Sequence, residues 1–399
     1  MRTCCLAAVA LVTFAASQPV FADPLSVPGM TGPLAANPDP YHIDAGPLGT
    51  VYYGGIASGL AMGQFNHGPG DRDDRLDLDN GQLWAGTTGG PVQFYVQAGG
   101  YALPSIGVAY KSMVPNTGDL FGPVPIAYVK YAPTGNFSIQ AGKLYTLIGT
   151  ENTFSFQNYN VEHGLLWNQT NDLNRGIQVN YSQGPFSGSV ALSDGFYSGR
   201  ANWLSGIFTY TVDSANSVSL LASGAIAHDG RNTYVTPLAQ DNSQLYDLTY
   251  TYNSGPWTIT PTLQYTRVPQ DVSIGLAASA DSYGAALAGK YSFTREWSLG
   301  ARAEVIDTTG GINLAYGPGS DAWSLTLTPT WQKGIYFARG EASFVKALDT
   351  TAGAAFGAGG NATSQGRLLV EAGGAVLSRN FARKGRPCRH EKGRAPRSG

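Results

Sequence analysis

Residues 245–266 read LYDLTYTYNSGPWTITPTLQYT, and the alternation of their side chains decides the fold. In the first half Tyr246, Leu248, Tyr250 and Tyr252 share one parity, and Asp247, Thr249 and Thr251 the other. In the second half Trp257, Ile259, Leu263 and Tyr265 oppose Thr258, Thr260, Thr262 and Gln264. Asn253-Ser254-Gly255-Pro256 supplies turn chemistry between them. Successive side chains of a strand point to opposite faces, so this is a hairpin with one greasy face and one small polar face. Residues 321–331 repeat the pattern, with Trp323, Leu325, Leu327 and Trp331 against Ser324, Thr326, Thr328 and Thr330.

The same rhythm runs outward in both directions. Sixteen candidate strands fall near 50–64, 80–88, 91–102, 123–132, 136–144, 174–183, 186–195, 203–212, 217–227, 243–253, 255–266, 282–293, 297–307, 321–331, 335–346 and 364–377. Short turns (89–90, 133–135, 184–185, 213–216, 254, 294–296, 332–334) alternate with longer loops (65–79, 103–122, 145–173, 196–202, 228–242, 267–281, 308–320, 347–363). Even strand number and segregated loop length predict an all-β, transmembrane antiparallel β-barrel over 49–378, with short periplasmic turns and long extracellular loops. A soluble sandwich or propeller would not sort its loops this way. Tyr181, Phe186, Tyr252, Trp257, Phe293, Trp297, Trp331 and Tyr336 flank short turns on the apolar parity, as an interfacial aromatic girdle would.

Composition agrees. Charged residues are 13% of the chain, Gly (52) and Tyr (22) are abundant, and no run past the N-terminus approaches twenty apolar residues. Residues 1–22 read as a secretory signal, with Arg2, an apolar run and a small-x-small cleavage site at Val20-Phe21-Ala22. Cleavage leaves Cys388 as the one cysteine, which excludes an internal disulfide and a cysteine metal site. Residues 23–48 hold six prolines and read as an irregular periplasmic lead-in. The segment 23–378 carries 16 Lys/Arg against 26 Asp/Glu, net −10, whereas 379–399 carries eight Lys/Arg against one Glu, net +7.

The loop 145–173 is the long one. It has no strand alternation, is rich in Asn, Gly and aromatics, and carries Glu151, Glu162 and Asp172. Connections of this length inside a compact domain are usually functional, and this one is a candidate constriction loop. Each limb could reach roughly 45 Å at about 3.3 Å per residue. The polar parity of the last strands bears a ladder of mixed charge: Lys290, Arg302, Glu304, Arg339, Glu341, Arg367 and Glu371. An acidic loop facing that ladder would set up a transverse field in a constriction. Equally, the pairs would only neutralise one another and brace the lumen.

Other constellations are weaker. Lys143 and Arg175 share the apolar parity at the outer rim of adjacent strands, placed either to meet lipid phosphate or, at a local bulge, to turn into the loop base. Asp71, Asp73, Asp74, Asp77 and Asp79 could hold Ca²⁺ through oxygen, although Arg75 stands where an EF-hand would place its first acidic ligand. His163 beside Glu162 has no serine motif with it, so a loop hydrogen bond accounts for it better than catalysis. No nucleotide fingerprint, nucleic-acid stripe or cofactor motif is present. A closed barrel serving as adhesin or anchor is the alternative to a pore, and an outer-membrane hydrolase a remoter one.

The stretches GKLYTLIGTENTFSFQNYNVEHGLLWNQ (142–169) and RGIQVNYSQGPFSGSVALSDGFYSGRANWLSG (175–206) resemble the OmpL-like putative beta-barrel porin-2 family. Residues 33–49, 91–104 and 124–133 look like further family segments, so the resemblance spans about 33–373. It implies a bacterial outer-membrane channel for passive diffusion of small hydrophilic solutes and ions. Outer-membrane lipid, lipopolysaccharide and the solutes are the partners it implies, with no cofactor. Sixteen strands and a long third loop are similar to the general trimeric porins, which makes a homotrimer an expectation. The PEFG signature of their third loop is absent, so their constriction residues are not carried over. Such barrels end on an aromatic residue, whereas here GAVLSRNFARKGRPCRHEKGRAPRSG follows LLVEAG. The abrupt change favours a shifted reading frame near Gly374 and a non-native tail over 379–399; the other reading makes Phe381 the terminal aromatic.

Overall fold

A computed structural model describes residues 33–35 and 40–377. The signal segment 1–22, most of the lead-in and the tail 379–399 lie outside the described residues. A short strand β1 (His42–Asp44) precedes sixteen long ones. These are β2 (Thr50–Phe65), β3 (Asp74–Thr87), β4 (Val92–Tyr101), β5 (Ile126–Tyr131), β6 (Phe137–Tyr145), β7 (Leu173–Gln183), β8 (Phe186–Ser193) and β9 (Trp203–Thr211). There follow β10 (Asn216–Ala225), β11 (Gln244–Ser254), β12 (Trp257–Val268), β13 (Ala280–Ser292), β14 (Trp297–Gly310), β15 (Asp321–Lys333), β16 (Tyr336–Leu348) and β17 (Ser364–Val376). Each pairs antiparallel with the next, and β17 returns to β2 from Gly366↔Phe65 to Val376↔Gly55. The sheet therefore closes, and no edge is left to pair with a stranger.

The expected barrel, its sixteen strands and its alternation of short and long connections are all present. Register follows the alternation read from the sequence. Leu263, Leu287, Leu325, Leu327, Leu368 and Val370 face outward and are exposed, while Thr262, Thr326 and Thr328 face inward and are buried. A contiguous apolar band of this extent marks a hydrocarbon-facing surface. Tyr181, Phe186, Trp257, Phe293, Trp297 and Tyr336 stand outward beside the short turns.

Three departures from expectation have a clear physical reason. β3 begins at Asp74 rather than 80, because the acidic run alternates with Leu76 and Leu78 and pairs with β2. β5 begins at Ile126, after the proline at 125 that cannot donate to a ladder. The lead-in is not wholly irregular: β1 lies inside it.

That strand has a clear reason to exist. Past Val376 the seam partner of β2 ends, yet β2 continues back to Thr50. β1 takes over the vacated side, pairing His42↔Tyr52, Ile43↔Val51 and Asp44↔Thr50, and the Tyr53 amide donates to the Tyr41 carbonyl at 3.1 Å. Backbone groups at membrane depth must be paired, so the N-terminal segment finishes what the C-terminal strand leaves open. Deleting residues 40–44 should lower the temperature at which the folded band shifts on a semi-native gel, with single-channel conductance unchanged.

Candidate functional site

The polar parity breaks on one side of the barrel. β2 turns Ile56, Leu60 and Met62 inward, β3 Trp84, β14 Ile306, β16 Val345 and β17 Leu369, all buried. Apolar side chains inside a wet lumen need cover, and the loop 146–172 supplies it. Phe154 and Phe156 enter the cluster around Trp84 and Tyr101, with Phe156 stacked on Trp84 at 5.9 Å. Val161 joins Leu60, Met62 and Leu369. Leu165 and Leu166 join Ile306, Tyr316 and Val345. The third extracellular loop thus folds inward and lies on the wall made by β14–β17 and β2–β4.

Polar contacts fix it there, mostly by holding backbone. Glu341 of β16 accepts from two consecutive loop amides, Val161 at 2.5 Å and Glu162 at 2.9 Å. Glu304 of β14 does the same for Leu165 at 2.9 Å and Leu166 at 3.2 Å. Two arginines hold the loop's carbonyls: Arg302 takes Glu162 O at 2.8 Å, and Arg339 takes Ser155 O at 3.0 Å and Asn158 O at 2.9 Å, while Arg367 takes Ser105 O of the preceding long loop at 2.7 Å. Loop carboxylates complete the set. Glu151 meets Arg302 at 2.5 Å and accepts from the Gly164 amide at 2.7 Å, and Glu162 meets Arg367 at 2.6 Å and accepts from the Ser343 hydroxyl. On the wall, Arg302 pairs with Glu304 at 3.0 Å and Arg339 with Glu371 at 3.1 Å.

The loop and the ladder therefore face each other, as the sequence suggested, but these charges are buried in mutual contact. Buried charge is tolerated only when paired and hydrogen-bonded, and here nearly every group has several partners. Asp172 is not drawn into the ladder. It stays at the loop base, buried, with its backbone oxygen accepting from the Thr146 amide and the Thr153 hydroxyl. Lys290 lies over the Tyr159 ring at 5.7 Å. His163 is a strut: its two ring nitrogens face the carbonyls of Pro104 and Asn152, each at 3.0 Å, and its ring stacks on Trp167 at 3.9 Å.

Sequence reasoning missed two participants. Asp247 of β11 accepts from the Gly149 amide at 3.1 Å, tying the start of the loop to a different wall. Asp79 accepts from the Ser155 hydroxyl at 2.5 Å. The signal for the docking face was available: Ile56, Leu60 and Met62 stand on the parity that elsewhere holds Ser and Thr.

The five aspartates offered for calcium do not converge. Asp71 accepts from Gln64, Arg75 and the Tyr110 amide; Asp77 meets the Tyr110 hydroxyl; Asp79 is buried under the loop; Asp73 and Asp74 are exposed. Among the described residues no group of three or more potential ligands could hold a metal ion. β3 starting early is part of the physical reason, since the extended strand puts Asp74 on the face opposite Asp77 and Asp79 and leaves Asp71 and Asp73 ahead of it.

Above the loop lies an outer vestibule of about 340 Å³, lined among others by Phe121, Trp167, Asn171, Asp172, Tyr234 and Tyr316. Its lining includes Gln240 of a short helix α1 (Leu238–Asp241). Burial pushes the Asp241 carboxyl up to about 6. As pH falls through that value the buried charge is removed while an unfolded carboxyl stays ionised, so the loop gains stability until about pH 4. Amide exchange of residues 238–243 should therefore slow between pH 7 and pH 5, after correction for intrinsic rates, and Asp241→Asn should abolish the dependence.

The family described as "Putative beta-barrel porin-2, OmpL-like" matches residues 50–375. No curated protein matches. Among solved structures, the anion-selective porin from Comamonas acidovorans is similar with a TM-score of 0.55 at 14% identity, over 82% of this chain and 99% of that one. OmpT of Vibrio cholerae, in its trimer form, superposes with 0.54 at 14% identity, over 82% of this chain and 98% of that one. OmpF of Salmonella typhi, in complex with daunomycin, gives 0.55 at 11% identity, over 84% of this chain and 100% of that one. These likenesses concern the fold.

Proposed function

The chain belongs to the OmpL-like putative beta-barrel porin-2 family, and from that premise we propose that its docked third loop sets the size and charge preference of the channel. The protein is an outer-membrane porin, a passive route for small hydrophilic solutes. The observation that carries the proposal is the inward course of the loop, held by Glu304, Glu341, Arg302 and Arg339 on its backbone and by Arg367 on the Glu162 carboxylate. The passage then runs between the loop and the opposite wall, where Asn180, Ser189, Ser205, Ser219 and Thr249 face inward. Small hydroxyl and amide groups bind solutes weakly, which lets them leave.

The mixed ladder acts first as a brace, and its charge second. Five glutamates of the contact (Glu151, Glu162, Glu304, Glu341, Glu371) outnumber three arginines and Lys290, so the field around the loop is negative and favours cations. Reversal potentials across a salt gradient in planar bilayers test this; anion selectivity would overturn it. Conductance steps of fixed size, with a solute panel, test the pore itself. The channel carries out no chemistry in this reading. A homotrimer is the assembly we expect, and cross-linking in membranes checks it.

A further inference from the structure

We propose that the outer face of β7–β12 holds one phosphorylated, multiply acylated lipid of the outer leaflet, its phosphate at the rim and one acyl chain in a groove below. The inference rests on the membrane reading above. Two independent features meet there.

The first is a cluster of cations. Lys143 and Arg175 are register partners on β6 and β7, both on the outward parity. Arg175 and Arg231 converge on Gly199: a Cβ there would lie 3.4 Å from Arg231 Nη1 and 3.7 Å from Arg175 Nη2. Arg200 follows directly in sequence and pairs with Asp229 at 3.7 Å. The carboxylates stand behind. Arg175, Arg200 and Arg231 are 45%, 57% and 52% exposed, whereas Asp194 and Asp229 are 5% and 9% exposed. Asp194 holds Arg175 at 2.5 Å, and Asp229 lies 4.0 Å from Arg231 Nε. Buried Asp241 is the third acid nearby. An anion approaching from outside meets guanidinium first, with forked donors suited to phosphate.

The second feature is a depression of about 870 Å³ in the apolar outer surface, lined by Val190, Gly206, Phe208, Leu220, Ala222 and Leu248 among others. Gly206 and Ala222 make its floor between larger neighbours. Val190 pairs with Gly206, and Ser193 at the top of β8 pairs with Trp203. The groove thus starts three residues, or roughly 10 Å, below the rim. A cationic rim over an apolar groove on one set of strands matches an anionic head joined to a hydrocarbon chain. The apolar belt of a second copy of the chain would fill the groove but would bring no anion to the exposed sides of Arg175, Arg200 and Arg231.

Native mass spectrometry of the folded barrel in detergent tests the pairing, using diphosphorylated lipid A, its dephosphorylated form, and inorganic phosphate as probes. Wild type should retain one diphosphorylated lipid, about tenfold or more tighter than the dephosphorylated one. Arg200→Glu with Arg231→Glu should erase that difference. Gly206→Trp, whose Cβ meets only ordinary contacts at 3.5 and 3.9 Å, should weaken the lipid and leave inorganic phosphate unaffected. A heat-shifted gel band and unchanged conductance confirm that each variant is folded and still a pore. Equal retention of both lipids overturns the proposal. So does displacement by inorganic phosphate with no effect of Gly206→Trp, which would mark a free-anion site, or loss of oligomer in Gly206→Trp, which would mark a subunit contact.

Discussion

Arg302→Ala is expected to weaken loop docking by about 3–5 kcal/mol, the usual cost of removing one partner from a buried ion pair, and to turn a steady conductance into a larger, flickering one. The guanidinium touches Glu151 and Glu304 and the carbonyl of Glu162. Without it, two buried carboxylates face each other with no cation between them, and the loop segment around Gly164 keeps only the Leu165 and Leu166 amides on Glu304 as its nearby ties to that strand. The barrel itself should survive, because its ladder hydrogen bonds involve none of these side chains. A gel-shift temperature close to wild type, together with raised current noise, is the expected signature. Arg302→Lys should recover only part of the effect, since an ammonium cannot reproduce the fork. Neutralising the pair instead, with Arg302→Met and Glu151→Gln, should restore much of the docking, because a buried pair is costly mainly when half of it is missing. An unchanged conductance in Arg302→Ala would mean the loop does not narrow the passage.

The barrel was legible because alternation is a local signal. Each hairpin states its own register, as Tyr246 to Tyr265 does, and closure follows from adding hairpins of one kind. The loop was legible as an oddity of length, and its charges as a ladder facing it. The sequence did not disclose whether the charges line water or bury one another. That depends on how far the loop sinks, which is set by contacts distant in the chain: Phe156 on Trp84, Leu166 against Gly284, Gly149 on Asp247. The seam strand β1 was hidden for a different reason. Its three residues have no period to read, and it exists only because β17 stops short of the end of β2. The apolar residues on the polar parity of β2 were the one overlooked local clue, since Leu60 and Met62 make no sense beside water and full sense beneath Val161.

Gly300→Val tests the same docking without touching a charge. Gly300 sits on β14, faces inward two residues before Arg302, and pairs with Thr328. A Cβ there would lie 2.6 Å from the Tyr159 carbonyl oxygen and 3.1 Å from its carbon. The intruded atoms are backbone, so the loop cannot yield by rotating a side chain. It is also pinned on both sides, by Arg339 to the Asn158 carbonyl at 2.9 Å and by Asn160 to Thr328 at 2.7 Å. The substitution must lift this stretch from the wall and stretch those bonds. The barrel should tolerate it, because valine suits a strand better than glycine. Conductance should therefore rise, as in Arg302→Ala, while the reversal potential stays near wild type because no charge has been removed. Arg302→Ala, by contrast, should shift the reversal potential further toward cations. If Gly300→Val conducts as wild type does while its loop is shown to be displaced by cross-linking, the docked loop is not the narrowest point, and the constriction lies with the vestibule residues of other loops, around Phe121 and Tyr234.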